Sequence, residues 1–178
     1  ENDYLIFKGE FSSKNKIHIN EKVKILGINA SFVDTTFIID VDDVSISDIK
    51  SFNPNHDVKD RLWGIQVNGV NNVSIKNCDI SINDTFSAYA IYLLEASNCS
   101  IINNTLQARG NYFTAAILSF NSRDILMDGN TIKTIGSGDT YLINNKSCLD
   151  GYLSICVDAC LDGSITCPDG YTICADGS

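Results

Sequence analysis

The sequence predicts an all-β chain: a single-stranded right-handed parallel β-helix, or solenoid, followed by a cysteine-rich tail of Asp-Gly repeats. Three observations carry that reading. Five segments align without gaps: "KVKILGINA" (22–30), "DVSISDIKS" (43–51), "NVSIKNCDI" (72–80), "NCSIINNTL" (98–106) and "DILMDGNTI" (124–132). The units recur at 21, 29, 26 and 26 residues, too short for strand–helix crossovers and suited to the turns of a solenoid. Five of the 7 cysteines fall in "SCLDGYLSICVDACLDGSITCPDGYTICADGS", residues 147–178.

Within each unit the second position holds Val23, Val44, Val73, Cys99 and Ile125, and the fourth holds Ile25, Ile46, Ile75, Ile101 and Met127. Apolar residues two apart, with polar ones between, are the period of a strand with one buried face. The sixth position holds Gly27, Asp48, Asn77, Asn103 and Gly129, residue types that tolerate a left-handed backbone, so the strand is expected to bend there. The buried face should return three residues later as Ala30, Ser51, Ile80, Leu106 and Ile132. Six residues before the second position lie Ile17, Ile38, Val67, Leu93 and Ser119, read as an earlier short strand. A β-sandwich would need regular hairpin signals, and single-residue bends are not hairpin turns. Stacking of successive units supplies the core, since one coil cannot bury its own interior.

The expected division is a β-helix over 1–147 and a tail over 148–178. The sixth unit starts at Tyr141-Leu142-Ile143, but its buried fourth position falls at Gly151, inside an Asp-Gly. Cys-x-Asp-Gly occurs at Cys148, Cys160, Cys167 and Cys174, with the variant Cys156-Val157-Asp158-Ala159 between the first two. Asp-Gly is a strong turn former, so the tail reads as short extended pieces tied by sulfur. Spacings of 8, 4, 7 and 7 lack the knuckle of structural zinc sites, and no metal or cofactor is expected. Five is an odd number, so at least one of these cysteines pairs outside the tail or stays free. Two outcomes follow, covalent pairing between chains or a compact cap closed by internal disulfides.

A net charge of −9 repels nucleic-acid phosphates, which are set aside as partners. No run nears the roughly 18 apolar residues of a membrane span, and the opening at Glu1 without Met reads as a chain whose leader has been removed. Clustered cysteines persist as disulfides in oxidising surroundings, which favours an extracellular, cell-surface location. Six sequons agree with it: Asn29, Asn72, Asn83, Asn98 and Asn145 are glycosylation candidates, Asn83 and Asn145 foremost. Asn103 is expected to carry no glycan, its amide being turned to the backbone at the bend. Cys78 and Cys99 lie at different places on successive units and should not bond to each other, leaving Cys99 a buried thiol.

Two stretches offer binding groups. "NPNHDVKDRLW" (53–63) is the longest excursion between units and gathers His56, Asp57, Lys59, Asp60 and Arg61; its plainer reading is a solvated loop anchored by Trp63. Tyr89, Tyr92, Tyr112, Phe113 and Phe120 come from neighbouring units and could form a strip that stacks on sugar rings or on a partner's apolar surface, with Phe120 read as core. "DVDD" (40–43) is read as solvent-facing acids in preference to a cation site.

The stretch "YLIFKGEFSSKNKIHINEKVKILGINASFVDTTFIIDVDDVSISDIKSF", with "NNVSIKNCDIS" and "SNCSIINNTL", resembles the adhesin-like surface proteins of methanogenic archaea. The likeness covers about residues 4–145 and excludes the tail. It implies a pectin-lyase-like β-helix with short Asn-rich repeats, displayed at the cell surface and not catalytic. The implied partners are further copies of the chain, other surface proteins, or glycans. Pectate lyases and polygalacturonases resemble the same fold, but their paired aspartates and downstream Gly-His-Gly are absent here, where His18 and His56 are the two histidines. No catalytic residue is assigned. A filament, sheath or wall subunit cross-linked through the tail is the alternative function.

Overall fold

The computed structural model describes residues 3–12, 16–53, 62–84, 86–137, 139–145 and 154–157, with backbone alone for 51–53, 139–145 and 154–157. Among them there is no helix, and every strand pair is parallel. The chain alternates between two sheets. The nine-stranded sheet holds β1 (Asp3–Ser12), β3 (Val23–Val33), β5 (Ser45–Asn53), β7 (Ser74–Lys76), β8 (Asp79–Asn83), β10 (Ser100–Ile102), β11 (Thr105–Gly110), β13 (Leu126–Gly136) and β15 (Ser154–Val157). The six-stranded sheet holds β2 (Lys16–Ile19), β4 (Thr36–Ile39), β6 (Leu62–Asn68), β9 (Ala88–Leu94), β12 (Phe113–Phe120) and β14 (Asp139–Asn145), neighbouring one another in chain order. A line of single bridges joins Asn71 to Ser97 and Ser97 to Arg123.

The fourth-position residues stack as the spacing predicts. Leu5, Ile25, Ile46, Ile75, Ile101, Met127 and Ile155 pair in successive strands of the larger sheet. From Ile25 to Met127 they are all buried, each contributing about 1.5–3 kcal/mol. At the second position Val44, Val73, Cys99 and Ile125 are buried, whereas Val23 is half-buried and packs against the edge of the core.

Two of the aligned columns are corrected. Ala30 does not face Ser51: the register shifts after Leu26, Ala30 pairs with Ile49, and the run along the sheet is Phe32, Phe52, Ile80, Leu106 and Ile132. In the six-stranded sheet the column is Ile19, Ile39, Val67, Leu93 and Ser119, not one that begins Ile17, Ile38. Period two fails there because consecutive residues are buried together, as at Gly64-Ile65, Ala90-Ile91 and Ala116-Ile117. Only glycine fits the first of these sites, where a Cβ would lie 2.8 Å from Ile80 Cγ2 and from the Ala90 carbonyl oxygen.

Left-handed residues mark the corners. Asp48, Asn77, Asn103 and Gly129 have φ of 59°, 52°, 54° and 60° at the sixth position, as expected. In the first unit Asn29 (φ 51°) takes this role instead of Gly27. A second corner, unforeseen, falls at Asp43, Asn72, Asn98 and Asp124, and a third at Gly69, Glu95 and Asn121.

One residue past the bend runs a buried polar ladder. The Asn104 Nδ2 group donates to Ile75 O (3.0 Å) and to Asn130 Oδ1 (3.0 Å), and Asn104 Oδ1 accepts the Cys78 N–H (2.9 Å). Asn130 repeats the pattern, donating from Nδ2 to Ile101 O (2.7 Å) and accepting the Asn104 N–H (2.9 Å). The inward amide is therefore that of Asn104, while Asn103 is exposed, which removes the ground for excluding Asn103 from glycosylation. Cys78 and Cys99 are both free and buried, their thiols donating to the carbonyls of Lys76 and Ser97.

Strand β15 comes from the segment assigned to the tail. It pairs with β13 through Met127–Ile155 and so extends the larger sheet beyond residue 147. The rest of residues 148–178 lies outside the described residues.

Candidate functional site

The outer face of the six-stranded sheet carries an apolar layer where such a face usually meets water or a covering helix. Register places Trp63, Tyr89 and Ala115 in one outward row, Gln66, Tyr92 and Leu118 in the next, and Asn68, Leu94 and Phe120 in a third. Tyr89 lies at the centre, 2 % exposed, within ring contact of Tyr92 (6.1 Å) and Phe113 (6.0 Å). Trp63 sits 6.1 Å from Tyr92 and under the Lys16 ammonium, 4.8 Å from the ring centre. Just before β9 and β12, Phe86 and Tyr112 stack face to face at 4.8 Å with planes 6° apart.

Part of this layer borders an open cleft of about 530 Å³. Its walls are Phe86, Tyr112, Phe113 and Phe120, its floor Tyr89, Tyr92, Leu94 and Leu118, and Ser87 adds a hydroxyl. The described lining contains no carboxylate, imidazole or ammonium group. Such a surface can hold a neutral ligand by ring contact and by hydroxyl hydrogen bonds.

Of the aromatic strip expected from sequence, Tyr92 and Phe113 are half-buried at the cleft and Tyr112 is 64 % exposed. Tyr89 is covered by its neighbours. Phe120 is corrected: it stands 37 % exposed at the rim, not in the core. Phe86, Leu94 and Leu118 were missed, although Phe86 and Tyr112 stand 26 residues apart, at one place in the repeat, as do Leu94 and Phe120.

His56, Asp57, Lys59, Asp60 and Arg61 lie outside the described residues. So do Cys148, Cys160, Cys167 and Cys174, while Cys156 is placed by its backbone within β15. Asn29, Asn72, Asn83 and Asn98 are exposed, with the Asn72 amide donating to Asp43 Oδ1 (3.1 Å); Asn145 ends β14.

The acids of 40–43 are dispersed among partners. Asp40 binds the His18 ring (2.8 Å) and the Asn68 amide (3.1 Å), and the bond from His18 holds its carboxyl below the usual range. Asp42 accepts the Asn71 N–H (2.7 Å), and Asp43 pairs with Lys22 (2.6 Å), whose ammonium is held above its ordinary value by that bond. Among the described residues no three His, Cys, Asp or Glu side chains converge as metal ligands. No family model, curated protein or solved structure matches this chain.

Proposed function

We propose that this chain is an extracellular, cell-surface module, adhesin-like and non-catalytic, whose two parallel sheets are faces of one right-handed single-stranded β-helix. The observation that carries it is the apolar cleft built on regularly stacked strands, with aromatic rings and hydroxyls in place of acid–base groups. Right-handedness is the near-universal hand of parallel β connections. The short Asn-rich repeats, whose grammar resembles that of adhesin-like surface proteins of methanogenic archaea, support the same reading. The cysteine-rich tail cross-links or anchors the module, and the exposed sequon asparagines are its glycan acceptors.

A second reading, a subunit of a disulfide-cross-linked filament, sheath or wall layer, is favoured by two features. Strand β15 carries the stacking into the tail, and β1 at the other end of the larger sheet exposes Tyr4, Leu5 and Ile6 beside a backbone edge that pairs with no other described strand. Native material run on gels with and without thiol separates the two. A ladder that collapses on reduction supports the subunit; a monomer under both conditions, released by protease treatment of intact cells, supports the adhesin-like module. A protein shielded from protease on intact cells overturns both.

A further inference from the structure

We propose that the cleft on the outer face of the six-stranded sheet binds a neutral glycan, with sugar rings seated against Tyr112, Tyr92 and Phe120. This deepens the surface-module reading and rests on it for its setting.

The argument starts from charge. The described lining holds no charged side chain, and the chain carries −9 overall, so acidic sugars gain no counter-charge in the cleft and are repelled from a distance. Shape comes next. A concavity of about 530 Å³ is the size of small-ligand sites and differs from the flat patches that protein partners cover. Chemistry then selects the class. Ligand faces must be apolar enough to lie on aromatic rings, and the polar groups must match the phenol hydroxyls of Tyr92 and Tyr112, a group that both donates and accepts. A pyranose has C–H faces and hydroxyls of the same double character. A proline-rich peptide also suits aromatic grooves, but its carbonyls only accept. Finally, the Tyr112 ring is already held by Phe86 at 4.8 Å, so little side-chain freedom remains to be lost on binding.

The test titrates the full chain with neutral gluco- and manno-oligosaccharides, polygalacturonate and a proline-rich peptide. Calorimetry gives affinity, and emission of Trp63, the chain's 1 tryptophan and 6.1 Å from Tyr92, reports occupancy of the cleft. The expected result is saturable binding of a neutral oligosaccharide that perturbs Trp63 and is weakened about fivefold by Tyr112→Ala and by Phe120→Ala. Both side chains are exposed, so these variants keep the fold, which circular dichroism checks. The proposal is overturned if no neutral sugar binds, if polygalacturonate or the peptide binds more tightly, or if both variants retain full affinity. A chain that sits on the cell surface yet ignores neutral sugars sinks this inference and leaves the surface-module reading standing.

Discussion

The early and late passes of the stack hold together by different means. Between β1 and β5, where paired residues lie 19 to 21 apart, the register shifts at Lys8/Gly9 and again between Leu26 and Ser31. Corner side chains there meet at the surface, Lys22 in an ion pair with Asp43 and His18 hydrogen-bonded to Asp40. Between β7 and β13, where units are 26 apart, register runs unbroken and the passes are joined by the buried amides of Asn104 and Asn130. Regular spacing is what permits the second device, because an amide can bridge neighbouring passes only when its counterpart lies directly beside it.

That contrast is broken most severely at Asn104. Asn104→Ala leaves the Cys78 N–H, the Ile75 carbonyl and one lone pair of Asn130 unmatched in the core, a loss of about 4 kcal/mol in urea unfolding. Next in size are Ile46→Ala and Ile101→Ala, which sit in one continuous column, one in each half. Each should cost about 3 kcal/mol, and equal values would show that the halves share one core despite their different corners. A much larger loss at Ile101 would mean that they unfold separately.

Cys78 caps the amide ladder, and burial pushes its thiol up to about 12 from 9.0. The unfolded chain releases this proton first, so stability should fall as pH rises from about 9 to about 12. Cys78→Ala should flatten that decline, read from urea midpoints across the alkaline range. The same burial predicts that native Cys78 and Cys99 escape alkylation at pH values where denatured chain reacts fully, which peptide mass spectrometry resolves.

The smallest effect is expected at Lys22. Its ion pair with Asp43 is solvent-exposed, and Lys22→Ala should leave the urea midpoint unmoved at moderate salt. A clear loss would show that the early corners depend on charge as the late ones depend on buried amides.

Sequence made the larger sheet readable because its inward residues obey period two and its bends need left-handed backbone. Val44, Val73 and the isoleucine column followed from that alone. The smaller sheet was less legible. Paired inward residues such as Ala90-Ile91 break the period, and the column slipped to Ile17 and Ile38 in the first passes. Asn103 and Asn104 are adjacent and chemically identical, so composition could not say which one turns inward. Phe120 reads as core in sequence because the outward residues of β12, Ala115, Leu118 and Phe120, are as apolar as its inward ones. The cleft was partly visible, in Tyr92 and Tyr112, but its walls come from residues that only the stacking brings side by side.

The unbroken register between β7 and β13 has a consequence in heredity. Because the strand register there pairs each residue with its equivalent 26 positions away, a duplication of one such unit would insert a pass whose columns and amide ladder match both neighbours. Its deletion would rejoin matching surfaces in the same way. In the early passes the same genetic accident would bring a displaced register with it. The regular half is thus the part of the chain that can lengthen or shorten without loss of fold, and length variants among kindred sequences should differ there.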